Sequence, residues 1–430
     1  MIIACVQLII SILYSLFLSK RSALYIALQI YVFTFLYALS YPLRYILVLG
    51  IDQTLLGGIN SGLNTGLGTF SQALNLSFVL YLTLISTLYL VGRYVFPGRR
   101  FCLFLLKNST GNIVQHLFER ALLVAIICLL IAQVCFSLRI GLAGRFPPEL
   151  PLKLTGILIL SRDILCPLLL WYIPSNLSLI NNPRLTFIYT LFFCLLFSAH
   201  VSVLSGIRGF YVYVVLPALI AFLISSKYLA KNPSGFFMYK PSLRIPKLVV
   251  KRSSLLVLIP LLMSIPIYFL SSMQRGSSDI YTSLSYALSR STGLIELSAA
   301  HQTIPSFQLL YDFLFKPDRS HILNIIFSTD LSLYVGDGDF AARTLGFFGT
   351  SIIGGTVFAI PFTVVSSFVL CFFTHSIFKY CSTSHLFFSI STVIYIDYLF
   401  WEFPPDRIFS VPILIFLFAL INRNSLNQFA

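Results

Sequence analysis

The feature that most limits what this chain can become is the repeated return of apolar runs long enough to cross about 30 Å of hydrocarbon as a helix. They lie near 2–19, 23–49, 73–92, 121–138, 154–173, 185–204, 209–226, 254–270, 346–374, 385–400 and 408–421. In lipid a segment must satisfy its own backbone, which a helix does internally. The runs therefore predict an all-α protein: a polytopic transmembrane helical bundle of about 11 spans, with 10 to 12 compatible with the boundaries. No repeat of 20 to 50 residues and no Gly/Ser or Pro-rich linker divides the chain, so residues 1–430 read as a single integral membrane domain. The first run starts at the N-terminus without a basic leader or an A-x-A cleavage signal, and its helix is expected to stay.

Composition agrees. Of the 430 residues 57% are hydrophobic and only 10% charged, which excludes an ordinary soluble enzyme. The formal net charge of +15 invites a nucleic-acid reading, but the placement of the charges gives a different reason. The odd-numbered connections and the C-terminus carry Lys20, Arg21, Arg93, Arg99, Arg100, Lys107, Arg120, Arg184, seven basic residues between Lys227 and Arg252, Lys379 and Arg423. The even-numbered connections carry fewer bases and almost all the acids, so the basic side is expected to be cytoplasmic and no nucleic acid is needed. The eight cysteines sit in or beside apolar runs without C-x-x-C or zinc spacing, and read as small hydrophobes.

One polar excursion is large. Residues 271–345, on the expected outer side, carry seven acids (Asp279, Glu296, Asp312, Asp318, Asp330, Asp337, Asp339) against Arg275, Arg290, Lys316, Arg319 and Arg343. Function is expected there. The stretch from Ser277 to Gln302 reads as a short amphipathic helix with a break at Gly293, able to lie along the membrane surface. Aromatics such as Phe307, Tyr311 and Phe315 suit either stacking on sugars or embedding in the interface. A smaller outer connection, residues 50–72, is rich in Gly and Asn and suits a flexible or re-entrant loop.

Charges with little loop to sit in are functional candidates, because burying one in lipid is costly. Arg208 stands in the tight Ser205-Gly206-Ile207-Arg208-Gly209 turn, facing either a cavity or the interface. Arg162 and Asp163 lie inside the fifth span, where they either neutralise each other or face different neighbours. Asp397, shortly before Trp401 and Glu402, is open to a functional and a structural reading. Arg275, Arg290, Glu296 and His301 together can bind a diphosphate and exchange a proton. Asp337-Gly338-Asp339 has the D-x-D spacing of many metal-dependent sugar-nucleotide transferases. Those donors are cytoplasmic, however, and a Gly/Asp turn is the commoner reading, so no metal and no cofactor are expected. Phosphate-loop, H-E-x-x-H, G-x-S-x-G and C-x-x-C-H motifs are absent from the sequence.

In architecture over its whole length the chain resembles the Wzy-type polysaccharide repeat-unit polymerases, including O-antigen polymerases. The local elements of the resemblance are the S-G-x-R-G turn at 205–209, the outer loop opening with Gln274-Arg275-Gly276, and Thr344-Leu345-Gly346-Phe347-Phe348-Gly349 leading into a late span. The resemblance implies a multi-pass protein of the bacterial inner membrane that joins undecaprenyl-diphosphate-linked oligosaccharides at the periplasmic face, working with a chain-length regulator. It implies arginines that clamp the diphosphate leaving group: Arg208 and Arg290 first, Arg275 and Arg343 next. A base for the acceptor hydroxyl would come from Glu296, His301 or Asp337. Two other functions stay open: a flippase or other transporter of lipid-linked oligosaccharide, and an O-antigen ligase.

Overall fold

The computed structural model describes residues 1–50, 67–96, 111–142, 148, 150–177, 183–205, 213–221, 224, 262, 266, 270, 293–302, 305–315, 345–381, 386–402, 412–415 and 417. Every regular element among them is helical. In chain order these are α1 (Ile2–Ser19), α2 (Leu24–Ser40), α3 (Pro42–Gly50), α4 (Leu67–Leu90), α5 (Gly111–Ser137), α6 (Leu154–Leu160), α7 (Cys166–Leu177) and α8 (Pro183–Ser205). After these come α9 (Leu294–Gln302), α10 (Phe307–Phe315), α11 (Gly346–Ile353), α12 (Thr356–Cys381) and α13 (Leu386–Glu402). Single π-helical turns continue α4 over Val91–Val95 and join α6 to α7 over Ser161–Leu165.

Among the described residues, five helical segments are long and apolar enough to cross a membrane: Ile2–Ser19, Leu24–Ile46, Phe70–Val95, Pro151–Tyr172 and Thr356–Lys379. The packing of α1 is the reverse of a soluble helix's. On α1 the buried face is Ala4, Gln7, Ser11, Ser15, Leu18 and Ser19, whereas Ile2, Ile9, Leu13 and Phe17 are exposed. The small polar side chains let neighbouring backbones approach, and Ser11 and Ser15 donate back to the carbonyls of Leu8 and Ile12, so they bring no unmet donor into the interior. The outward faces of α5 and α12 carry Leu123, Leu130, Val357 and Val365. Apolar surface on this scale suits lipid and not water.

Cross-helix bonds fix the helix directions. Gln7 donates to Asn75, Tyr81 donates to the Ser11 carbonyl, and Tyr14 and Ser86 share a hydrogen bond, so α1 and α4 run parallel. Tyr25 donates to the Phe96 carbonyl while Thr34 meets Tyr81, which sets α2 antiparallel to both. Cys128 and Cys135 contact the carbonyls of Cys166 and Leu158, making α5 antiparallel to α6 and α7. Cys371 reaches the Leu88 carbonyl and His375 stacks on Phe96, so α12 follows α4. Phe33 against Phe400 and Gln29 against Asp397 align α13 with α2.

These directions place Lys20, Arg21, Arg93 and Lys379 at one end of the bundle. There Arg21 sits over Phe17, and Arg93 over Tyr89 and Tyr94. The other end is built from helix breaks and short helices. The run 23–49 is not one rod: it breaks at Tyr41–Pro42, since proline cannot continue the α2 ladder. The run 346–374 likewise divides at Gly354–Gly355 into the wholly buried α11 and the long α12. Helix α9 is the described part of the 277–302 stretch, read as able to lie along the membrane surface; residues 277–292 lie outside the described residues. Leu294, Leu297, Ser298 and Ala300 are buried, and the helix packs between α4 and α11.

Candidate functional site

The end built from breaks carries two buried arginines. Arg44, on α3 just past the Pro42 break, is 4% exposed. The second is Arg162, 2% exposed, in the π turn between α6 and α7.

Arg162 is the centre of a crosslink. Its Nε donates to Asp163 Oδ1 at 2.7 Å. Its Nη1 lies 3.3 Å from the carbonyls of both Ile140 and Gly141, just past the end of α5, and 3.5 Å from Ser205 Oγ, the last residue of α8. Gly141 has φ +66°, the left-handed region that favours glycine, and a Cβ there would fall 2.7 Å from Arg162 Nη2, so any side chain would push the guanidinium aside. From α13, Tyr395 donates to the Asp163 carbonyl at 2.9 Å. Arg162 and the Asp163 carbonyl thus tie together α5, the α6–α7 turn, α8 and α13. Of the two readings the sequence left open, the structure selects mutual neutralisation, with Nη1 of Arg162 directed at the helix ends.

The second construction at this end is aromatic. Tyr41 packs against Phe348 and Trp401, Phe348 against Trp401, and Phe347 against Phe400, with ring centroids 4.4 to 6.0 Å apart. This wall joins the α2 break to α11 and the end of α13. Helix α9 sits on it closely: a Cβ at Gly293 would come 2.5 Å from the Ser40 carbonyl oxygen.

Of the residues expected to act, two lie on described elements. Glu296 and His301 both belong to α9, with His301 half-buried at its last turn. The helix that carries them is therefore held against α4 and α11 at the end where Arg44 and Arg162 are buried. Arg208, Arg290, Arg275, Arg343, Asp337 and Asp339, and most of the Gly-rich 50–72 connection, lie outside the described residues. The chain places Arg208 three residues beyond Ser205, the Arg162 contact. Phe307, Tyr311 and Phe315 form an exposed face of α10, while Leu310 and Phe313 on its other side are buried. Asp312 accepts a hydrogen bond from Gln308 at 2.8 Å. Arg44 was missed at the sequence level because it falls inside a long apolar run; the signal available was Pro42, two residues earlier.

A third polar contact is buried within the bundle. Gln29 of α2 donates to Asp397 Oδ1 of α13 at 3.0 Å, and neither residue has any exposed surface. Among the described residues no group of three or more His, Cys, Asp and Glu side chains converges as a metal site would require.

Fold and packing define a helical membrane protein with lipid-facing apolar helices and one end assembled from helix breaks and buried arginines. No protein-family model, no curated protein and no solved structure matches the chain.

Proposed function

We propose that this protein is a glycosyltransferase of the bacterial inner membrane, a polymerase that joins undecaprenyl-diphosphate-linked oligosaccharide repeat units into O-antigen or capsular polysaccharide at the periplasmic face. The observation that carries the reading is the Arg162 crosslink. It fastens Ser205, the first residue of the Ser205–Gly209 turn, to the ends of α5 and α6. Ser205 is thereby fixed three residues before Arg208 in the chain, which supports a role for that arginine at a diphosphate, since electrostatic stabilisation of a leaving group requires fixed placement.

On this reading the end bearing Lys20, Arg21, Arg93 and Lys379 faces the cytoplasm, the bundle has about 11 spans, and residues 271–345 form the periplasmic loop. Arg208 and Arg290, helped by Arg275 and Arg343, hold the diphosphate as the glycosidic bond breaks. Glu296, His301 or Asp337 takes the proton from the acceptor hydroxyl. A chain-length regulator is the expected partner. Arg208→Ala and Arg290→Ala each abolish polymer while leaving the amount of protein in the membrane unchanged. Lysine at either position restores only part, because it lacks the planar fork.

The deciding experiment is a gel of surface polysaccharide from the source cell with the gene deleted, beside the same strain complemented. Collapse of the long ladder to core bearing one repeat unit supports polymerisation. Loss of even that single unit assigns the protein to flipping or ligation and overturns the polymerase.

A further inference from the structure

The Gln29–Asp397 contact is incomplete in a way that one proton would complete. Gln29 Nε2 donates to Asp397 Oδ1, but the other two oxygens of the pair, Asp397 Oδ2 and Gln29 Oε1, are both buried and neither has a hydrogen-bond partner. Both are acceptors, so in the ionised form nothing within the pair can satisfy them. Among the described residues no cation faces the carboxyl: its one hydrogen bond comes from Gln29, and the titratable group in electrostatic contact with it is the Cys371 thiol of α12. A fully buried carboxylate with no counter-charge is far costlier than a neutral acid with its hydrogen bonds made.

We infer that Asp397 is a resident proton-binding site between α2 and α13, with the proton on Oδ2 donated to Gln29 Oε1. Acid and amide then form a closed neutral ring: N–H of Gln29 to Oδ1, and O–H of Asp397 to Oε1. One proton removes both unmatched acceptors, and the charge with them. This assignment does not depend on the polymerase reading, because it rests on atoms within the helical body.

The test is infrared spectroscopy of the full-length protein in lipid nanodiscs at pH 8, where solvent-exposed carboxyls are ionised. Wild type minus Asp397→Asn is expected to show a protonated-acid carbonyl band present only in wild type and displaced in heavy water. Asparagine is isosteric with the neutral acid and can form the same ring with Gln29, so this variant keeps its membrane level. In Gln29→Leu, a residual acid band is expected to move to higher frequency as the acid loses its amide partner. If the difference spectrum shows only lost carboxylate stretches, Asp397 is ionised and the inference is overturned. A protonated-acid band that Gln29→Leu leaves unmoved overturns the ring.

Discussion

Asp163 and Asp397 are both buried carboxylates on helices that pack side by side, and they solve the same problem in opposite ways. Asp163 has a guanidinium at 2.7 Å whose Nη1 faces two backbone carbonyls and Ser205. Asp397 has a single amide and no cation among the described residues. A low-dielectric interior strengthens an ion pair and penalises a lone charge by the same physics. The first acid serves as one half of an electrostatic rivet, while the second is expected to be neutral. A buried acid is informative only together with what faces it.

The comparison breaks most visibly at Arg162. Arg162→Met strands the Asp163 carboxylate, and the expected loss is about 3–5 kcal/mol, the usual cost of removing one partner of a buried pair. It is read as a fall in membrane level and in melting midpoint in detergent. The double variant Arg162→Met, Asp163→Leu removes both charges and should recover most of the loss; no recovery would show that the helix-end bonds, and not the charge, dominate. Gln29→Leu is next, with an expected cost of about 1–3 kcal/mol for a buried acid deprived of its hydrogen bonds. It should be smaller than the Arg162 effect in the same melting assay, since no stranded charge results.

Asparagine at the two acids sharpens the contrast. Asp163→Asn leaves Arg162 without its counter-charge and should destabilise by several kcal/mol, whereas Asp397→Asn should cost less than about 1 kcal/mol. Similar melting midpoints for the two variants would remove the distinction. Thr34→Val sets the scale at the small end. It deletes a hydroxyl that meets Tyr81 at 2.8 Å and also donates to the Ile30 carbonyl, a neutral contact expected to contribute about 0.6 kcal/mol inside a membrane bundle.

Much of the helical plan was readable from hydropathy alone. The runs at 2–19 and 73–92 correspond to α1 and the body of α4, and 121–138 to most of α5. Where the reading failed, the cause was local chemistry outvoted by overall hydropathy. Pro42 and Gly354-Gly355 were in plain view, but an apolar run continues across each, and a hydropathy window registers length without breaks. The Ser11, Ser15, Ser19 stripe of α1 was equally visible and would have identified its inward face, since small residues mark helix contacts in lipid. For α9 the sequence pattern left its surroundings open, since periodicity does not say whether an apolar face meets lipid or protein.

The sequence by itself indicated that this chain lives in a membrane as helices, because continuous apolar runs of about 20 residues match a spanning helix that satisfies its own backbone. It also marked Arg162, Asp163 and Asp397 as charges out of place. Only the tertiary structure decided what those charges do. Adjacent side chains on a regular α-helix diverge, and it took the π turn and a long arginine to fold Nε back onto Asp163. Gln29 and Asp397 are 368 residues apart, and only the packing of α2 on α13 brings them together. Electrostatic energy depends on distance and local dielectric, and neither is a property of position along the chain.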